Sequence, residues 1–156
     1  MREMVRVMCQ KAVGQYLDRE VCVTTSSNLF REVSPGVLAH ASVFFWVATE
    51  RHLMDFRSHL RDLVAGAPLV LFVAGSQADK AFDYLLECLA AEAPVPQIMT
   101  RSREGTLPEC LEELLQGTWP SEDRFDDWTT YLIAAEDVDV DLVRKATIDA
   151  LGAHQG

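Results

Sequence analysis

Apolar positions along the chain follow two different periods. Over residues 2–17, Val5, Met8, Cys9, Ala12, Val13, Tyr16 and Leu17 recur every three to four positions, which predicts an amphipathic helix over 1–18. The next apolar segments are continuous: Val21–Thr25, Ala41–Ala48 (ASVFFWVA), Pro68–Ala74 (PLVLFVA) and Thr129–Ala135 (TTYLIAA). Runs of strand length without polar alternation predict strands covered on both faces. A weaker β segment is expected over Gln97–Thr100, with Pro94 and Pro96 beside it.

Helical stripes lie between these runs. Leu53, Phe56, Leu60, Leu63 and Val64 form one, with Thr49 placed to cap it and Gly66 to end it. Ala78, Phe82, Leu85, Leu86 and Leu89 form a second, for which Ser76 and Asp79 resemble a capping box. Leu107, Cys110, Leu111, Leu114 and Leu115 follow the box Thr106-Leu107-Pro108-Glu109 and stop at Gly117. A last helix runs along Leu142, Val143, Ala146, Ala150 and Leu151, capped by Asp137 or Asp139 and stopped at Gly152. Strand–helix alternation of this kind predicts an α/β fold. We expect one three-layer domain over 1–156, with a mostly parallel sheet of about five strands and helices on both faces. The extra N-terminal helix precedes an α/β core at 19–152. The layout is flavodoxin-like, an architectural analogy that carries no activity with it.

Ligands of such folds bind beyond the carboxyl ends of the strands. The first of these loops, Thr24, Thr25, Ser26, Ser27 and Asn28, is loosely similar to the hydroxyl-rich loop with which flavodoxins hold a flavin phosphate. It lacks the glycine that lets a backbone approach phosphate closely. It also reads as a strand end with a helix cap. Together with Ser76 it is the candidate anion site. The loop AGSQADK lacks the second glycine and the hydroxyl of a phosphate-binding P-loop. The acid cluster of a phosphorylatable receiver domain is absent from both corresponding loops.

Metal and nucleophile signatures are missing as well. Cys9, Cys22, Cys88 and Cys110 contain no CxxC pair. His52 and His59 stand seven apart on one predicted helix, roughly 10.5 Å, too far to share an ion. Glu136, Asp137, Asp139 and Asp141 lack EF-hand spacing and read as acids favoured at a helix N-terminus. No metal or cofactor is expected, and no catalytic residue is assigned.

Charge then directs attention elsewhere. The net charge is −10, and residues 104–141 hold twelve acids and one base, Arg124. A negative field of that kind repels nucleic-acid phosphates and suits a basic protein surface. Within it, Trp119, Glu122, Asp123, Phe125, Asp126, Asp127 and Trp128 combine aromatic anchors with steering charges. The expectation is a non-catalytic, protein-binding module of adaptor, inhibitor or immunity type that uses this acidic aromatic surface. The competing reading is a small-ligand or enzyme domain holding phosphate, flavin or nucleotide at the strand ends. The N-terminal helix could pack on a partner or on a second copy. The longest uncharged apolar stretch, Ala65–Ala78, is too short and too interrupted to span a bilayer, and the N-terminus has no leader pattern, so a cytosolic setting is expected.

Overall fold

A computed structural model describes residues 12–31, 35–94 and 96–155. Six strands form one sheet: β1 (Ala12–Tyr16), β2 (Arg19–Thr25), β3 (Ala41–Trp46), β4 (Val70–Ala74), β5 (Met99–Arg103) and β6 (Thr130–Ala135). Their order is β1-β2-β6-β3-β4-β5. Only the β1–β2 pair is antiparallel; β2–β6, β6–β3, β3–β4 and β4–β5 are parallel. Short helical turns α1 (Asn28–Arg31) and α2 (Pro35–Leu38) link β2 to β3. The longer helices are α3 (Glu50–Ala65), α4 (Ala78–Ala90), α5 (Leu107–Gly117) and α6 (Val140–Gln155).

The continuous apolar strands alternate between two cores. On one face Val43, Phe45, Leu71, Val73 and Leu132 meet Leu53, Phe56 and Leu60 of α3 and Ala81 and Leu85 of α4. On the other, Phe44, Phe72, Tyr131 and Ile133 meet Leu111 and Leu114 of α5 and Val143 and Leu151 of α6. Burial on both sides explains why these strands carry no polar alternation. Edge-on ring contacts such as Phe45–Phe56, with centroids 5.0 Å apart, add about 0.5–1.5 kcal/mol beyond area burial.

The N-terminal expectation is corrected where it can be compared. Ala12–Tyr16 is a strand, because Leu17 and Asp18 both adopt left-handed backbone (φ 51° and 66°) and fold the chain into a two-residue hairpin onto β2. Ala12, Val13 and Tyr16 satisfy a helical spacing by coincidence, and residues 1–11 of the expected helix lie outside the described residues. The flavodoxin-like winding is corrected too. In that winding the first strand of the parallel set lies inside, beside the second and third. Here β2 pairs only with β6 and β1, and the last strand is inserted between the first and second of the parallel set.

Two caps differ from expectation. Thr49 accepts from the His52 amide and Thr106 with Glu109 forms the full box. The cap position before α4 is held by Gln77 without a side-chain bond, because Ser76 Oγ is turned to the Ala48 carbonyl, 2.5 Å away. Gly152 does not stop the last helix, which continues to Gln155.

Candidate functional site

The topology defines where a site can lie. β2, β3 and β4 send their following helices to one face, whereas β5 and β6 send theirs to the other. The loop after β6 therefore turns away from the loops after both its neighbours, β2 and β3, which is the switch-point geometry that opens a crevice at the carboxyl edge. Side chains from all three loops meet there. Arg51 and His52 come from the first turn of α3, Glu136, Asp137 and Asp139 from the loop after β6, and Ser26 and Ser27 from the loop after β2.

His52 is the centre of this set and is buried. Its Nδ1 accepts the Ala48 amide at 3.0 Å. A ring nitrogen that accepts carries no proton, so in the neutral ring the proton is on Nε2, which donates to Asp139 Oδ2 at 2.5 Å. Glu136 Oε2 lies 3.9 Å from the same Nε2. Glu136 Oε1 pairs with the exposed Arg51 at 2.5 Å, while its Oε2 is buried with no hydrogen-bond partner among the described residues. His52, Glu136 and Asp139 are thus close enough to surround a cation. The imidazole argues against that role: ligation through Nε2 would require Nδ1 to hold the proton, and Nδ1 faces an N–H donor. The same commitment removes His52 as a general base. With both nitrogens used, the ring ties α3 to the loop after β6.

The expected anion site closes on itself. Thr24, Thr25 and Ser26 are buried. Thr25 Oγ1 accepts the Asn28 amide at 3.1 Å and lies 3.3 Å from Ser27 Oγ. Ser26 donates to Asp55 Oδ2 at 2.5 Å, and Ser27 to Asp137 Oδ1 at 3.5 Å. Asp55 also lies 3.5 Å from His59 Nε2. Every hydroxyl is spent, two of them on carboxylates, so a phosphate would meet like charge rather than free donors. Thr25 therefore caps the turn that follows. Ser26 is only 2% exposed, so no substrate reaches its hydroxyl.

The acidic aromatic segment lies at the opposite, amino-terminal edge of the sheet, since α5 runs back along the strands before the chain enters β6. Glu122–Asp127 form a 3₁₀ turn. Residues beside the strand starts hold it: Arg19 Nε donates to the Trp128 carbonyl (3.1 Å), His40 Nδ1 to the Asp127 carbonyl (2.8 Å) and Arg124 Nη1 to the Gln97 carbonyl (2.8 Å). Glu122, Asp123, Asp126 and Asp127 are all exposed. Trp119 and Phe125 keep 47% and 38% of their surface in solvent. Trp128 does not: at 3% exposure it packs edge-on against Tyr131 and Phe125, with the Arg19 guanidinium 4.0 Å from its ring. The expected pair of surface indoles is therefore corrected to one indole and one phenyl ring. Sequence reading missed Arg19 and Leu17. Arg19 lies over Phe125 at 5.0 Å and bonds the carbonyl of the exposed Leu17, which brings the hairpin tip to the edge of the patch.

No family model, curated protein or solved structure matches the chain. No helix among the described residues is long and apolar enough to cross a membrane.

Proposed function

We propose that the protein is a non-catalytic binding module whose partner is another protein with a basic surface. It docks at the amino-terminal edge of the sheet through Trp119 and Phe125, within the field of Glu122, Asp123, Asp126 and Asp127. The observation that carries this reading is the pinned 3₁₀ turn. Four exposed carboxylates and an exposed phenyl ring sit on six residues that His40 holds at the Asp127 carbonyl, Arg19 at the adjoining Trp128 carbonyl, and the Arg124 side chain ties to the Gln97 carbonyl. A preorganised surface loses little entropy on docking. The aromatic rings supply anchors, and the acids supply speed and selectivity of encounter. The competing phosphate or flavin reading loses support because the hydroxyls of Thr24–Ser27 are internally satisfied beside Asp55 and Asp137. A cytosolic setting belongs to this proposal, and Cys88 and Cys110, which form no disulfide, support it.

The test is affinity capture from the native host at low and high salt, using the natural chain, a Trp119→Ala/Phe125→Ala double variant and an Asp126→Asn/Asp127→Asn double variant. A protein partner should be retained at low salt, released by salt, and lost with either pair of substitutions. Capture of the same partner by folded forms of both double variants would overturn the assignment.

A further inference from the structure

Resting on that reading, the geometry points to the mode of recognition: the partner contributes an extended, lysine- or arginine-bearing segment that adds as a strand to β5. Among the described residues the sheet ends at β5. The Met99 amide donates to the Leu69 carbonyl, and the Arg103 carbonyl accepts from the Gly75 amide. Residues 99, 101 and 103 therefore turn their backbone groups inward to β4. By the alternation of a parallel ladder, the N–H and C=O groups of Thr100 and Ser102 face outward, where the described residues offer them no strand. An open edge of this kind is a template for pairing with another chain.

A groove accompanies that edge. It has a volume of about 390 Å³ and is lined by Arg103 and by Glu109, Glu112, Glu113, Gln116 and Gly117 of α5. Arg101 Nε and Arg103 Nη1 each reach Glu113 at 2.9 Å, so the strand's own guanidiniums are already occupied. From Glu104 to Gly117 the chain holds four glutamates and no base. Alternate side chains of an added strand would enter this groove, and the charge balance favours cationic ones. Gly117, at the far end of the groove, is two residues from the exposed Trp119. Arg124 of the acidic turn bonds the Gln97 carbonyl just before β5. The groove and the acidic aromatic patch are one continuous surface, with the open edge supplying backbone pairing and the patch supplying anchors.

The experiment uses a capped nonapeptide of alternating lysine and threonine, its glutamate–threonine counterpart, and amide-resolved NMR on the full chain. The lysine peptide should slow exchange of the Thr100 and Ser102 amides by about tenfold at saturation, and the glutamate peptide should not. Thr100→Pro removes an outward N–H that the fold does not use, a change tolerated on edge strands, and should abolish peptide binding. Thr100→Val should retain it. Failure of the lysine peptide to bind, unchanged exchange at both amides, or equal binding by a folded Thr100→Pro variant would each overturn strand addition. A native partner lost with Trp119→Ala/Phe125→Ala but indifferent to Thr100→Pro sinks this inference alone. Absence of any native partner sinks the function on which it rests.

Discussion

His52 Nε2 and Asp139 Oδ2 lie 2.5 Å apart across 87 residues of sequence. With the Ala48 amide on Nδ1, that bond makes the imidazole a rivet between the N-terminus of α3 and the loop that leads into α6. Its removal leaves a backbone donor and a carboxylate without their partner. His52→Ala should therefore destabilise the protein by about 2–3 kcal/mol. Asp139→Asn keeps an acceptor in place and should cost clearly less. Urea unfolding of the two variants provides the comparison, and equal small losses would show that the ring bears no tension between the two segments.

The same tautomer argument predicts how the protein responds to metal. Because Nδ1 accepts a hydrogen bond, Nε2 has no lone pair to offer while the Ala48 contact stands. Zinc, manganese or a chelator should each leave the melting temperature unchanged to within about 1 °C, whereas an ion bound at a hundred times its Kd would add about 2.7 kcal/mol. A rise of several degrees with one cation, lost in His52→Ala, would refute the assignment of the proton to Nε2.

Trp119 and Trp128 should separate sharply under substitution. Trp128→Ala opens a void among Phe125, Tyr131 and the Arg19 guanidinium and should cost about 3–5 kcal/mol. Trp128→Phe keeps an aromatic ring, removes an indole N–H that is buried without a partner among the described residues, and should cost much less. Trp119→Ala, at an exposed position, should stay within about 0.5 kcal/mol. Thermal unfolding settles the order. A Trp119 variant as damaged as Trp128→Ala would remove Trp119 from the proposed docking surface.

These contrasts mark what could be read from the chain. The α/β class was legible because ASVFFWVA, PLVLFVA and TTYLIAA are buried on both faces, and burial on both faces leaves a compositional trace. The stripe of α3 and the box at Thr106 and Glu109 were legible because their partners are three or four residues away. The insertion of β6 between β2 and β3 was not, since strand order depends on which helices share a face. His52 with Glu136 and Asp139 was equally hidden: the loop acids and the histidine looked separate until the parallel register brought the ends of β3 and β6 together. For the acidic segment, polarity placed the aromatics in a loop but could not say which rings turn inward. That was decided by Arg19, a hundred residues away, whose guanidinium covers Trp128.

Gly75 tests the turn after β4. Its φ is +117°, and a Cβ there would run into the Val47 carbonyl. Its amide bonds the Arg103 carbonyl and its own carbonyl accepts from Ala78. The glycine thus serves a close crossing of β3, β4 and β5 ends rather than a phosphate. Gly75→Ala should lose about 2–4 kcal/mol through combined strain and displacement. A variant of near-natural stability would mean that the three strand ends can separate freely.

The cap of α5 carries a pH signature. Thr106 Oγ1 accepts the Glu109 amide, and the Glu109 carboxylate accepts from the Thr106 amide and hydroxyl at 3.1 and 2.8 Å. The hydrogen bond from the Thr106 backbone, aided by the one from its hydroxyl, holds the Glu109 carboxyl below its ordinary value. A lowered folded-state value means that the charged form is favoured by folding. The contribution is complete at neutral pH, begins to fade near pH 4.3, where an unfolded glutamate titrates, and is gone below the folded-state value. Glu109→Gln should therefore melt below the natural protein at pH 7, and the gap should close as the pH is taken down through 4 toward 3. Thr106→Ala should cost about 1 kcal/mol at neutral pH by removing the cap itself. In the double variant the two losses should fall short of additive, because each side chain satisfies the other's backbone amide. Full additivity would show that the two bonds act independently, and a gap that widens in acid would reverse the sign of the carboxylate's contribution.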